Sequence, residues 1–338
     1  MKPQKNTRVH QKSKHSHWFR WCIFAYLLAF LILLAFSVLP LLINTFDNSY
    51  QKSTNSQNLG QAKTTSTTDS ETISVNLSAH NAYVVNLTTN TVLLKKSPTK
   101  EIAPASTTKL ATALTVLDSC DMEDLVTVGD EIYNVPKDSS KADLCEGQQL
   151  TIRQLMEALL LPSGNDAAYV LASHTGKVLK KEEYVSTDEA INTFIDAMNK
   201  KAASIGATST HFASPDGYDT DGQHTTAKDL SLFAKECLNN DDLKKILRSY
   251  EVTETLKSGE TVSYTSTNEL LNPESEYYLK NAIGLKTGST SSAGYCLISA
   301  AIFGNDTYVA VVMDSTQDGR FEDSKRIYSA IASQQKDQ

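Results

Sequence analysis

Cysteine and histidine are scarce in this 338-residue chain, with five of one and seven of the other, and neither forms a Cys-x-x-Cys or His-x-x-x-His pair. Such pairs supply most protein zinc sites, so no metal centre is expected. Glycine (14) and proline (8) are too few for a collagen-like or low-complexity chain. Basic charge is in deficit, 32 Lys and Arg against 39 Asp and Glu, a net −7. Six of those bases, Lys2, Lys5, Arg8, Lys12, Lys14 and Arg20, precede the first acid, Asp47; the rest of the chain carries 26 against 39, or −13. An acidic body excludes nucleic acid as the partner, because phosphate binding draws on clustered Lys and Arg.

What is present is enough apolar residue, 40%, to build a core. Residues 21–43 form one long apolar run, which as a helix spans about 35 Å, the thickness of a bilayer core. A cleaved signal peptide is the competing reading, but its apolar stretch is about 7–15 residues and ends at a small-residue cleavage site. The run is therefore expected to be a retained single-pass anchor. The basic tail 1–20 stays cytoplasmic by the positive-inside rule, leaving all that follows outside the cell. Residues 44–72, rich in Ser, Thr, Asn and Gln, read as a disordered tether, and residues 73–338 as one extracytoplasmic catalytic domain. Outside the membrane run lie Cys120, Cys145, Cys237 and Cys296. Disulfides persist in that compartment, and a Cys120–Cys145 bridge across a polar excursion stays open beside free thiols.

Two β-rich runs, 82–87 and 91–95, flank Thr88-Thr89-Asn90 as in a hairpin. Leu110, Ala113, Leu114 and Leu117 recur at i, i+3, i+4 and i+7 and predict a helix over 106–117 with one buried face. Thr151 and Gln154 form a capping box for a helix ending at Leu161 before Pro162, and a further helix is expected from Asn165 to Gly176. Ser163 falls on the break between them. Thr225 or Thr226 caps a helix over 230–238; segments 283–287, 295–303 and 307–313 read as strands, and 320–332 as a closing helix. The expectation is a mixed α/β domain with five strands.

Ser106 and Lys109 stand three apart at a helix start, so one face presents both. A serine hydroxyl needs a base to become a nucleophile, and lysine serves once burial or a nearby cation lowers its pKa from about 10.4. Ser-x-x-Lys alone is common. Here Ser163-Gly164-Asn165 and Lys286-Thr287-Gly288 follow it in order, a combination characteristic of penicillin-interacting serine enzymes.

With these elements, and with Pro104-Ala105, Asp166-Ala167, Asp216-Gly217-Tyr218 and Ala293-Gly294-Tyr295 around them, residues 73–332 resemble the serine D-alanyl-D-alanine carboxypeptidases of peptidase family S11. These are the low-molecular-mass penicillin-binding proteins. The resemblance implies a DD-peptidase/β-lactamase-like fold, a five-stranded antiparallel sheet flanked by helices, and no cofactor. It implies Ser106 as the acylated nucleophile, Lys109 as its base and Ser163 as the proton relay. Asn165 would hold the substrate amide, Lys286 would lower the pKa of Lys109, and Thr287 would meet the terminal carboxylate. Gly288 and Ser289 would line the substrate, with the N–H groups of Ser106 and Ser289 as oxyanion hole, and Arg320 would stand near the carboxylate. The implied partners are peptidoglycan stem peptides ending in D-Ala-D-Ala, with β-lactams as covalent inhibitors, at the bacterial cell membrane. Two departures bear on the carboxylate: Ser289 and Thr267 stand where some relatives have histidine and arginine. The resemblance also stops short of the β-rich C-terminal domain and anchoring tail of many relatives. A class A β-lactamase is excluded by the lack of Glu-x-x-Leu-Asn between the second and third elements. A cross-link endopeptidase or transpeptidase, or a β-lactam or wall-fragment sensor, are the alternatives.

Overall fold

The N-terminal hairpin forms as its β-branched and apolar residues predict: β1 (Asn81–Asn86) and β2 (Thr91–Lys96) pair antiparallel around Asn90, which takes the left-handed φ of 57° that the tight turn needs. The computed structural model describes residues 72–182 and 184–336. The tail 1–20, the apolar run 21–43 and the tether up to residue 71 lie outside the described residues. Among the described residues no helix is long and apolar enough to cross a membrane.

Three strands near the C-terminus, β7 (Ala282–Thr290), β8 (Gly294–Phe303) and β9 (Asp306–Ser315), complete a five-stranded antiparallel sheet in the order β2-β1-β9-β8-β7. Alternate residues serve opposite faces. Tyr83, Val85, Ile298, Val309 and Val311 point to one core, and Ala82, Val84, Leu297, Ala310 and Val312 to another. Burial on both faces explains why β8 and β9 read as nearly unbroken apolar runs. The second core is closed by α7 (Gly319–Lys336) through Phe321, Ile327, Tyr328 and Ile331. The first is closed by α1 (Lys109–Leu117), α2 (Ile152–Leu160), α3 (Asn165–Lys180), α4 (Thr187–Ser204), α5 (Ala227–Asn239) and α6 (Asp241–Arg248).

Several expectations are corrected. Helix α1 buries every residue from Lys109 to Val116 rather than one face. Its polar groups tolerate this because they are satisfied: the Thr112 hydroxyl donates to Pro215 O (2.5 Å) and that of Thr115 to Ala111 O (2.8 Å). Helix α3 does not stop at Gly176 but runs on to Lys180. That glycine is there for close packing, since a Cβ on it would come within 1.9 Å of Ala190 O in α4. Helices α4 and α6 and the hairpins β3 (Leu125–Thr127)–β4 (Gln149–Thr151) and β5 (Glu251–Thr255)–β6 (Thr261–Thr265) are additions. The open question over cysteine resolves to free thiols: Cys120, Cys237 and Cys296 are buried and Cys145 is exposed, with no Cys120–Cys145 bridge.

Candidate active site

Ser106 lies in a single 3-10 turn, Ala105–Thr108, that leads directly into α1. The turn starts from Ala105 in the left-handed region (φ 49°), fully buried. Such backbone costs about 1–3 kcal/mol and persists only where neighbours enforce it. Two neighbours do. Gly217 (φ 84°) is pressed so closely on Ala105 that a Cβ there would come within 1.9 Å of Ala105 O, and a Cβ on Gly288 would come within 3.1 Å of Ser106 N. The loop 214–222 and strand β7 thus close on the serine turn from two sides. Because β7 is an edge strand, its outer rim faces that turn.

Lys109, fully buried, reaches three oxygens: Ser106 Oγ at 2.8 Å, Asn165 Oδ1 at 2.7 Å and Asp216 O at 3.0 Å. Burial pulls its pKa down to about 8, against the opposing pull of the Asp216 and Asp166 carboxylates. Two of the three oxygens can only accept. A neutral amine therefore aims its two N–H groups at Asn165 and Asp216 and leaves its lone pair for the Ser106 hydroxyl.

Asn165 is placed by the break that the sequence predicted. Ser163, buried, takes a left-handed φ of 66°, Gly164 caps the helix, and Asn165 opens α3. The next residue, Asp166, accepts N–H bonds from Ala142 (2.9 Å) and Leu144 (3.0 Å), while Asn165 N donates to Ser140 O (2.9 Å). The start of α3 therefore fixes both the lysine and the loop 138–144, which walls the cleft. Neither Asp166 nor that loop carried a role in the sequence reading. A carboxylate in a helix's first turn, directly after a Ser-Gly-Asn break, was the available signal.

On β7, Lys286 is fully buried and donates to Thr287 O at 3.2 Å. Burial lowers its pKa well below the ordinary value, and the cations of Lys109 and Arg320 add to the effect. For both lysines burial is the largest cause of the shift, and repulsion between two buried ammonium groups acts on each of them alike. The Thr287 hydroxyl lies 2.5 Å from that of Thr267. Ser289 is exposed and lines a cleft of about 270 Å³ together with Ser106, Asn165, Tyr218, Asp219 and the 138–140 loop. Arg320 is half-buried. It stacks on the rings of Tyr295 (5.3 Å) and Phe321 (4.7 Å) and donates to Gly288 O at 3.3 Å, so it braces the strand that carries Lys286 and Thr287. Among the described residues no group of three or more His, Cys, Asp or Glu side chains is placed to hold a metal ion.

Known proteins resemble the chain in sequence and fold. Residues 63–317 match the peptidase S11 family model, described as D-alanyl-D-alanine carboxypeptidase. A D-alanyl-D-alanine carboxypeptidase of Streptomyces sp. strain K15 is 33% identical over 252 residues, 71% of this chain and 82% of that protein. D-alanyl-D-alanine carboxypeptidase DacF of Bacillus subtilis is 29% identical over 243 residues, and the chain spans just over half, 58%, of its length. The crystal structure of the Streptomyces K15 DD-transpeptidase superposes with a TM-score of 0.68 at 32% identity, over 76% of this chain and 97% of that one. The ampicillin-bound penicillin-binding protein D2 of Listeria monocytogenes does so at 0.61 and 27%, over 76% and 98%. With the serine, the lysine and the Lys-Thr-Gly strand assembled on a matching fold, the chain belongs to peptidase family S11, the serine D-alanyl-D-alanine carboxypeptidases.

Proposed function

We propose that the protein is a membrane-anchored DD-carboxypeptidase that removes the terminal D-alanine from peptidoglycan stem peptides on the outer face of a bacterial cell membrane and is acylated by β-lactams. The observation that carries this reading is the set of three bonds around Lys109. It turns a lysine into a base whose lone pair has one direction, toward Ser106. Ser106 Oγ attacks the carbonyl of the penultimate D-alanine as Lys109 takes its proton. The N–H groups of Ser106 and Ser289 stabilise the oxyanion; loss of one such donor costs about 100- to 1000-fold. Ser163 relays the proton to the leaving D-alanine, and water then frees the acyl group by the same path in reverse. Asn165 holds the substrate amide, Thr287 its carboxylate, and Arg320 stiffens the strand between them. The anchor reading is supported by the apolar run 21–43 and the basic residues before it.

A second reading, transfer of the acyl group to an amine instead of water, is favoured by the Streptomyces K15 structure, which is that of a DD-transpeptidase. One assay tests both. The full-length protein in detergent should release D-alanine from a pentapeptide ending in D-Ala-D-Ala and should be labelled by fluorescent penicillin, and Ser106→Ala should do neither. Labelling without release in water, with release restored by an amine acceptor, selects the transpeptidase; labelling without release under either condition selects a sensor; a Ser106→Ala protein that still labels refutes the assignment.

A further inference from the structure

Two walls of the cleft are joined across its mouth. Asp138 stands on the loop 138–144 and Tyr218 on the loop 214–222, and the Tyr218 hydroxyl donates to the Asp138 carboxylate, 3.3 Å from Oδ1 and 3.5 Å from Oδ2. Both residues line the cleft that holds the half-buried Ser106, and Asp138 is exposed, so the bond crosses the outer rim rather than the floor. Its abutments are firm. Tyr218 N donates to Asp216 Oδ1 (3.0 Å), its carbonyl accepts from Gln223 Nε2 (3.1 Å), and Asp219 Oδ2 accepts from Ser292 N (3.1 Å) in the turn between β7 and β8. On the other wall Asp166 holds Ala142 and Leu144, and Ser139 Oγ donates to Pro136 O at 2.6 Å. The Asp138 carboxylate pushes the phenol's pKa up, so Tyr218 keeps the proton that it donates.

We propose that Tyr218 and Asp138 are specificity-determining residues: the bond between them bridges the rim of the cleft, which thereby admits linear peptide ends and disfavours branched ones, in which a side chain carries a second peptide. The inference rests on the peptidase reading above and names the substrate class within it, uncross-linked stems rather than cross-linked ones. At about 270 Å³ the cleft falls below the range of about 300–1,000 Å³ usual for small-molecule sites, so it has room for the end of one chain. A linear peptide threads a single backbone between the walls, about 5 Å across as neighbouring strands are. A branch sets a second chain beside the first, and that chain meets the bridge. Among the described residues no other hydrogen bond joins the two loops, so loss of either side chain removes the bridge. One long, solvent-exposed bond opens at modest cost, and the bridge therefore grades substrates instead of barring any.

The test is the kinetics of the full-length protein in detergent on two synthetic peptides with the same D-Ala-D-Ala end, one linear and one carrying a second peptide on the side-chain amine of the residue before that end. The wild type should prefer the linear peptide in kcat/KM. Tyr218→Phe keeps the ring and deletes the hydroxyl, Asp138→Ala deletes the acceptor, and Asp138→Asn retains an acceptor oxygen. In each deletion variant the preference should shrink about fivefold, the weight of one exposed hydrogen bond. The double variant should shrink it no further than either change alone, because both delete the same bond, and asparagine should recover it. Should Asp138→Ala fail to fold, Tyr218→Phe decides. Absence of any preference in the wild type, an unchanged preference in the deletion variants, equal changes on both peptides or an additive double variant overturns the proposal. Wild-type protein that cleaves neither peptide refutes the peptidase reading and this one with it, whereas active wild type with indifferent variants refutes the bridge alone.

Discussion

Replacing Asp216 by asparagine should move the reaction's alkaline requirement toward neutral pH. Lys109 acts as a base only without its extra proton, so kcat/KM rises as the pH climbs through its value of about 8. Burial sets that value low, and the carboxylates of Asp216 and Asp166 hold it up. Asp216 is fully buried and its own peptide oxygen touches Lys109 Nζ at 3.0 Å. Its carboxylate therefore lies within about 7 Å of the ammonium, and at an effective dielectric constant of about 20 the pair interacts by about 2 kcal/mol, between one and two pH units. Asparagine keeps both the peptide oxygen and the Oδ1 that accepts from Tyr218 N at 3.0 Å, so the change is mainly one of charge. The sign is fixed: removing an anion beside a cation lowers the cation's pKa. D-alanine release measured from about pH 5.5 to about 10 should show the rising limb displaced to lower pH by at least one unit. A limb that stays in place, or moves to higher pH, refutes Lys109 as the titrating base.

Two other consequences can be checked on the folded protein. Glu157 on α2 is buried with Oε2 unpartnered, and burial next to Glu254 raises its pKa from 4.5 to about 7. A carboxyl with a raised folded value loses stability as pH rises from its unfolded to its folded value. Thermal unfolding should therefore show the wild type weakening between about pH 4.5 and 7 while Glu157→Gln does not; parallel curves contradict this. Cys145 is exposed, whereas Cys120, Cys237 and Cys296 are buried with thiol pKa values pushed up. A thiol reagent on the native protein should label Cys145 before the other three, as mass spectrometry of peptides 72–336 reads directly, and simultaneous labelling contradicts the buried assignment.

Much of this was legible in the sequence where a local signal and the tertiary environment agree. The capping box at Thr151 and Gln154 forms as read, Thr226 caps α5, and the strands of the sheet stand where alternation and apolar runs put them. The four residues Ser106, Lys109, Asn165 and Lys286 converge because three short motifs each sit at an element's start or edge. What could not be read is what neighbours impose. Gly176 looked like a helix stop because glycine favours ends, yet it is held inside α3 by the approach of α4. Thr112 and Thr115 lie outside the apolar positions that marked one face of α1, yet both are buried, with acceptors at Pro215 and Ala111.

The burial of α1 along nearly its whole length has a dynamic consequence. A helix with no solvent face exposes its backbone only when the domain comes apart, so its amides belong to the slowest-exchanging class, and the serine turn at its head shares that rigidity. Nucleophile and base are thus anchored at the depth of the global unfolding transition. Segments 138–144 and 214–222 are themselves tied to α3 and to the serine turn, so adaptation to different substrates has to come from exposed side chains on the cleft rim, Asp138, Ser140 and Ser289. Substitutions there can alter which peptide enters without disturbing the distance between Lys109 and Ser106.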